Sequence, residues 1–125
     1  MKCYPMIVVR DVAASSAWYQ ELLGLTSGHG GDEFEMLLAA DDLALMLHRL
    51  DFTEHPALAD PREGDAGRGV LLYFSVDDVA LHFKQAQEMG VEPIYEPHEN
   101  PEARAIEFNL RDPDGYALTI SQWAG

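Results

Sequence analysis

A single cysteine, Cys3, stands in 125 residues. That scarcity excludes an internal disulfide and a cysteine-built metal knot, and it fits a reducing cytoplasm. Basic residues are few as well. Eight Lys and Arg face 22 Asp and Glu, a formal net charge of −14 with a pI near 4.4. Such a chain repels phosphate backbones and anionic lipid, so neither nucleic acid nor a membrane surface is an expected partner. A cationic ligand would be attracted, although the same acids also serve to keep a surface solvated. No apolar run reaches the length of a membrane span, and Met1 to Pro5 lead into a strand instead of forming a signal peptide. There is no nucleophile–base pair and no Cys/His cluster. The glycines of Gly28 to Gly31 lack the strand–loop–helix setting of a phosphate cradle.

What the chain does contain is an ordered alternation of strand and helix signals. Asp112-Pro113-Asp114-Gly115 is turn chemistry: proline presets φ, aspartate side chains bond nearby amides, and Gly115 tolerates positive φ. It joins the Ile- and Phe-bearing run 105–110 to the alternating run 116–123, and so predicts a hairpin. Upstream, residues 4–9 read as a strand and Asp11 as a helix cap. Val12, Ser15, Tyr19 and Leu22 follow at helical spacing, and Gly24 marks the stop. Strands are expected at 34–38 and 43–48. Residues 50–69 are rich in proline, glycine and acid and read as a linker.

Beyond the linker the order begins again. A strand is expected at 70–76, then a helix capped by Asp77 or Asp78 carrying Val79, Phe83 and Ala86, closed by Gly90. A short strand at 91–95, a polar loop at 96–102 and the terminal hairpin complete the second half. Val9-Arg10-Asp11-Val12-Ala13 lies over Val76-Asp77-Asp78-Val79-Ala80 at a constant offset of 67 residues (78 − 11). Internal repetition of this kind points to paired modules. The expected organisation is one domain over residues 1–125, built of two βαβββ modules at about 1–49 and 69–125 joined by a linker at 50–68.

The strand leading into VRDVAASSAWYQELLGL, its echo SVDDVALHFKQAQEMGV and the terminal DPDGYALTI resemble the vicinal oxygen chelate superfamily. That superfamily includes glyoxalase I, extradiol dioxygenases and the fosfomycin- and bleomycin-resistance proteins. With the linker, the resemblance covers essentially the whole chain. It implies an α+β fold of two βαβββ modules forming a curled mixed sheet around a shared cleft, often completed by a second subunit, so a homodimer is expected. It says little about chemistry, because one fold hosts many functions.

Metal-using members of the family carry His, Glu or Gln at one inward position on the first and last strand of each module. Carried over by spacing, those positions fall on Tyr4, Met46, Leu71 and Thr119. Phenol, thioether, alkyl and hydroxyl are a poor donor set for Mg²⁺, Mn²⁺, Fe²⁺ or Zn²⁺, so neither a metal nor another cofactor is expected. Strand alternation puts Pro5, Ile7, Val9, Leu43, Leu45, Leu47, Val70, Leu72, Phe74, Val76, Leu118 and Ile120 under the helices. The other side carries Tyr4, Met6, Val8, Met46, His48, Leu71, Tyr73, Thr119 and Ser121. Of these, Leu71 and Val8 read as core or interface packing. Tyr4, Tyr73, His48 and Thr119 suit a pocket or such packing equally.

Among the remaining residues, Glu107 suits either reception of a ligand cation or a solvated strand edge. His48 reads as a strand-end histidine at a pocket mouth, and His55 and His98 as loop residues without chemistry. Trp18 and Tyr19 read as core packing of the first helix, and Trp123 as a surface for stacking on a planar ligand. The candidate ligand-binding set is therefore Tyr4, Met6, Met46, His48, Tyr73, Glu107, Thr119 and Trp123, with no catalytic residue assigned. The expected function is non-catalytic binding of a small aromatic or cationic, antibiotic-like molecule, as in bleomycin resistance. The alternative is a divalent-metal glyoxalase-like lyase, isomerase or dioxygenase.

Overall fold

A computed structural model of the chain describes residues 1–51, 55–58, 60, 69–102 and 104–123. Most of the expected linker lies outside the described residues. The chain divides into two compact units, Met1–Ala66 and Gly67–Gly125. The first runs β1 (Met6–Val9), α1 (Val12–Leu23), β2 (Thr26–Ser27), β3 (Phe34–Ala39) and β4 (Asp42–Arg49). The second runs β5 (Leu71–Ser75), α2 (Val79–Glu88), β6 (Pro93–Asn100), β7 (Ala105–Arg111) and β8 (Ala117–Trp123). Each is a βαβββ module, and the fold is α+β with two four-stranded mixed sheets. Their orders are β1-β4-β3-β2 and β5-β8-β7-β6, with β1–β4 and β5–β8 parallel and the remaining pairs antiparallel.

Both helices start where a carboxylate meets an unpaired amide. Asp11 accepts from Ala14 N at 3.0 Å, and Asp78 accepts from Leu81 N at 3.2 Å. α1 ends on Gly24, whose left-handed backbone (φ 70°) lets its N–H reach Gln20 O. The α1 side facing the sheet buries Val12, Ser15, Ser16, Tyr19 and Leu22 against the first core, with Ile7, Val9, Leu37, Leu45 and Leu47. Trp18 is only half-buried and meets the Tyr19 ring edge-on. In the second unit Val79 and Ala86 of α2 are buried, and Leu72, Phe108, Leu110, Leu118 and Ile120 supply the core. Phe83 packs edge-on against Phe108 with ring centres 5.2 Å apart.

The structure departs from expectation chiefly at strand ends. Tyr4 and Pro5 precede the first ladder pair, Met6 with Met46, and both are exposed. Val70 likewise precedes Leu71 and is exposed. The expected short strand and polar loop at 91–102 are one eight-residue strand, β6, paired with β7 and almost wholly exposed. It is a sheet edge, where charged residues and proline suffice because only one side of the ladder is paired. His98 therefore sits on a strand, opposite Glu107.

The Asp112–Gly115 turn ties β7 to β8. Asp112 Oδ1 accepts from Asp114 N and Tyr116 N, both at 2.9 Å, while Gly115 N donates to Asp112 O at 3.0 Å with φ at 94°. Asp112 is buried, so removing its carboxylate strands two amides. Asp112→Ala is expected to cost about 1–3 kcal/mol in the urea unfolding free energy. An unchanged urea midpoint would show that the carboxylate does not hold the turn.

Candidate functional site

The first sheet has one face toward α1 and one away from it. Ile7, Leu47 and Glu35 stand opposite one another across β1, β4 and β3, and Ser16 of α1 bonds Glu35, which fixes this as the helix side. Strand alternation then puts the next rows on the other face. One row is Met6–Met46–Met36 and the adjoining row is Val8–His48–Phe34. Three of the chain's five methionines therefore lie side by side across three strands. All three are half-buried.

A cavity of about 560 Å³ opens at this end of the sheet, lined by Met6, His29, Gly30, Gly31, Asp32, Glu33, Phe34, His48 and His55. Its walls are a run of rings. His29 and Phe34 have centres 5.3 Å apart, Phe34 and His48 6.1 Å, and His48 and His55 4.6 Å at 82°. His48 is 3% exposed, and its Nδ1 lies 2.6 Å from Arg49 O. A carbonyl can only accept, so Nδ1 carries the hydrogen and Nε2 the lone pair in the neutral ring. Across the rim, Arg49 forms an exposed ion pair with Glu33 at 2.8 Å.

The loop that forms one wall is held from behind by Glu35. This carboxylate is 2% exposed and accepts five hydrogen bonds: Ser16 Oγ at 2.9 Å, Ser27 Oγ at 2.8 Å, His29 N at 3.2 Å, Gly30 N at 2.8 Å and Met36 N at 2.9 Å. Burial alone, the largest single influence, would raise its pKa. The donors from Gly30, Ser27, Ser16 and His29 together outweigh it and leave the pKa below the ordinary 4.5. Two of these donors, His29 N and Gly30 N, belong to the loop itself, in which Gly30 and Gly31 take φ of 75° and 134°, a backbone that favours glycine.

In the second unit the face away from α2 is polar. Tyr73, Thr119, Asn109 and Tyr95 form one row, and Ser75, Ser121, Glu107 and His98 the next. Tyr73 donates to Glu107 at 2.7 Å and lies 3.0 Å from Ser121 Oγ. Asn100 donates to the other Glu107 oxygen at 3.0 Å, and Asn109 donates to Thr119 Oγ1 at 2.5 Å. Glu107 is 6% exposed on an interior strand, not a solvated edge. Burial pushes its pKa up, but Tyr73, Asn100, Ser121 and the charge of His98 hold it below the usual value. For Tyr73, the bond with Ser121 lowers the pKa, while burial and the Glu107 carboxylate more than offset it and raise the phenol's pKa. The Tyr73 ring itself is half-open to solvent, as is Trp123 at the end of β8.

Within the first unit, Met6, Met46 and His48 share one face, and Tyr4 lies exposed before β1. Within the second, Tyr73, Glu107 and Thr119 share one network face. Phe34, Met36, His29 and Glu35 escaped the sequence reading. The alternation of Phe34 and Met36 against Glu35 and Leu37 carried the signal, but it needed the β3–β4 register to be read. Of the positions that hold metal ligands in metal-using relatives, Leu71 is an exposed alkyl chain and Thr119 Oγ1 already accepts from Asn109. Tyr4 supplies a phenol and Met46 a thioether. This donor set does not fit a hard or borderline divalent ion. No group of three or more His, Cys, Asp or Glu suited to a metal occurs among the described residues. Among them, too, no helix is long and apolar enough to cross a membrane.

The two βαβββ modules and their four-stranded mixed sheets define a class, and sequence comparison agrees with it. A model of the Glyoxalase/Bleomycin resistance protein/Dioxygenase superfamily matches residues 4–120, and the chain belongs to that superfamily. No curated protein matches it significantly. Among solved structures, it is similar to a glyoxalase/bleomycin resistance protein/dioxygenase family enzyme from Burkholderia phytofirmans PsJN, at 25% identity and TM-score 0.78, covering 97% of each chain. It is also similar to a bleomycin resistance determinant encoded on the transposon Tn5, at 21% identity and TM-score 0.72, covering 100% of this chain and 99% of that one. A protein of unknown function from Agrobacterium tumefaciens C58 aligns at 24% identity and TM-score 0.79, over 99% of this chain and 95% of that one.

Glu35 gives a direct test of how the cavity wall is held. Glu35→Ala strands buried donors and is expected to lower stability at pH 7 by about 2–3 kcal/mol. Glu35→Gln retains most of it, because Ser16 and Ser27 can turn to accept from the amide. The folded-state pKa is depressed, so the carboxylate's contribution is present above the unfolded value of 4.5 and is lost as pH falls through the folded value. Urea titrations should therefore show wild type losing its advantage over Glu35→Gln below about pH 4.5. A gap between the two that is constant from pH 7 to 3 would contradict this assignment.

Proposed function

We propose that the protein binds a planar aromatic or cationic organic molecule without transforming it, as a bleomycin-resistance-type member of its superfamily. The observation that carries the reading is the face of the first sheet. The row of Met6, Met46 and Met36 lies next to the row carrying His48 and Phe34, and Met6, Phe34 and His48 line the cavity together with His29, His55, Asp32 and Glu33. Thioether and ring surface hold an aromatic ligand by area, and Phe34 offers its face to a positive charge. A volume of about 560 Å³ is within the range of small-molecule sites. The charge of −14 adds a long-range pull on cations, screened beyond about 8 Å at physiological salt. The similarity to the Tn5 bleomycin resistance determinant is consistent with this reading.

Tyr73, Glu107, Thr119 and Trp123 form a second candidate surface, in which a locked phenol ring and a half-open indole present flat faces to a ligand. Tyr4 belongs to the ligand set only if the segment before β1 closes on the bound molecule. The same reading includes a homodimer. On the face of the second sheet away from α2, Leu71, Tyr73, Tyr95 and Trp123 are exposed, apolar groups that a second copy would cover in a two-fold pair.

Calorimetric titration tests the ligand class, using bleomycin, the tricyclic cation proflavine and the uncharged tricycle phenazine. Proflavine is expected to bind more tightly than phenazine and to weaken with added salt. Phe34→Ala should reduce its affinity roughly 3- to 30-fold, the value of a lost cation–π contact. If none of the three binds below millimolar concentration, while a glyoxalase or ring-cleavage assay with added divalent metal shows turnover, the enzyme reading replaces this one. Light scattering that gave a monomer mass at tens of micromolar protein would remove the dimer.

A further inference from the structure

We propose that the second unit carries a separate binding site, for a small monocarboxylate with an alkyl tail, in the groove between α2 and the helix side of its sheet. This goes beyond the reading of the first sheet and does not rest on it. A cavity of about 430 Å³ opens there, within the range of small-molecule sites. Its apolar lining is Val79, Ala80 and Phe83 from α2, Pro97 from β6 and Ile106 from β7. Val79, Phe83 and Gln87 stand at helical spacing with Ala80 and Lys84 on the adjoining row, so one broad face of α2 forms the wall. Across the groove, Ile106 precedes Phe108 by two residues and shares its side of β7, the side that meets Phe83. β7 is an interior strand, yet Ile106 is 45% exposed where Phe108 is fully buried. The core is therefore open at this end, and alkyl surface is left without cover.

Charge selects the head group. The polar lining is Lys84, Gln87 and Gln122, with no carboxylate. In a chain of 22 acids and eight bases this reverses the first cavity, which has Asp32 and Glu33 in its wall. Lys84 has no ion-pair partner among the described residues, and its stem can lie along alkyl surface while the ammonium stays in water. Gln122 stands opposite Ile106, and its Oε1 accepts from Val79 N at 2.9 Å. That bond ties the first turn of α2 to β8 and commits the amide oxygen. The amide N–H groups of Gln122 have no partner among the described residues. One cation and an amide donor favour a single negative charge. The mostly alkyl wall favours a saturated tail over a planar ring. Distant acids oppose an anion only weakly, because physiological salt screens them beyond about 8 Å.

The test uses sodium octanoate and its uncharged analogue octanamide, which share a tail and differ in the head group. In nitrogen-15 NMR spectra, octanoate is expected to shift the amides of Val79, Ala80, Phe83 and Ile106 together with the side-chain amide of Gln122. The shifts should saturate at one octanoate per chain and leave Gly30 and Gly31 of the first cavity unmoved. Lys84→Met keeps the stem and removes the charge at an exposed position. It should weaken octanoate roughly 3- to 10-fold, between the effect of an exposed ion pair and that of a charge-assisted hydrogen bond, and leave octanamide unchanged. Ile106→Asn should weaken both ligands. No saturable shift at these amides at millimolar octanoate, shifts confined to Gly30 and Gly31, equal affinity for the two ligands, or an unchanged octanoate affinity in Lys84→Met would each overturn the proposal. Proflavine and octanoate are read at different residues of different units, so the two readings fall separately.

Discussion

The face of the first sheet depends on a carboxylate that never reaches it. Glu35 is buried on the helix side, yet its five hydrogen bonds tie α1, β2, the loop after it and β3 into one piece. A buried carboxylate without partners would be strongly unfavourable, and one with five donors is a strong constraint. The loop with two left-handed glycines is consequently held in place, and with it the His29 wall of the cavity. Packing of α1 cannot supply that constraint, because the loop offers almost no apolar surface. Glu107 does the same for the second sheet from the opposite side, fixing Tyr73 by its hydroxyl while leaving the ring in solvent.

The two modules therefore share a fold and divide their chemistry. At matching positions the first has Met6 beside Met46 and the second has Tyr73 beside Thr119. The first row is soft and apolar, the second polar and internally satisfied. In both, the groups that would grip a hard cation are either missing or already engaged. What remains suits surface contact, and contact with a ligand of delocalised or positive charge is where sulfur and ring faces contribute most.

Much of this was legible in the residues. The carboxylate caps at Asp11 and Asp78, the helical spacing of Val12, Ser15, Tyr19 and Leu22, and the Asp112–Gly115 turn are local signals with local causes, and each stands where the sequence predicts it. The alternation of Leu45 and Leu47 against Met46 and His48 likewise separated the two faces of β4. β6 was not legible, because an edge strand exposed along its length shows no apolar pattern. Glu35 was hidden for a different reason, and for Glu107, already a candidate, the same reason left burial and a solvated edge undecided. A charged residue in a strand reads as solvent-facing until its partners, which lie on other strands and on a helix, are known. The packing of His55 on His48 is tertiary too, and no spacing announces it.

The central claim is that this member of the superfamily binds through sulfur and aromatic surface and not through a divalent metal. The most direct measurement is elemental analysis of protein purified without chelator, combined with the same analysis after dialysis against Mg²⁺, Mn²⁺, Fe²⁺, Ni²⁺ and Zn²⁺. The account predicts each of these ions well below one per chain under both conditions. One divalent ion per chain, lost on mutating His48 or Glu107 and accompanied by turnover of a glyoxalase or ring-cleavage substrate, would contradict it.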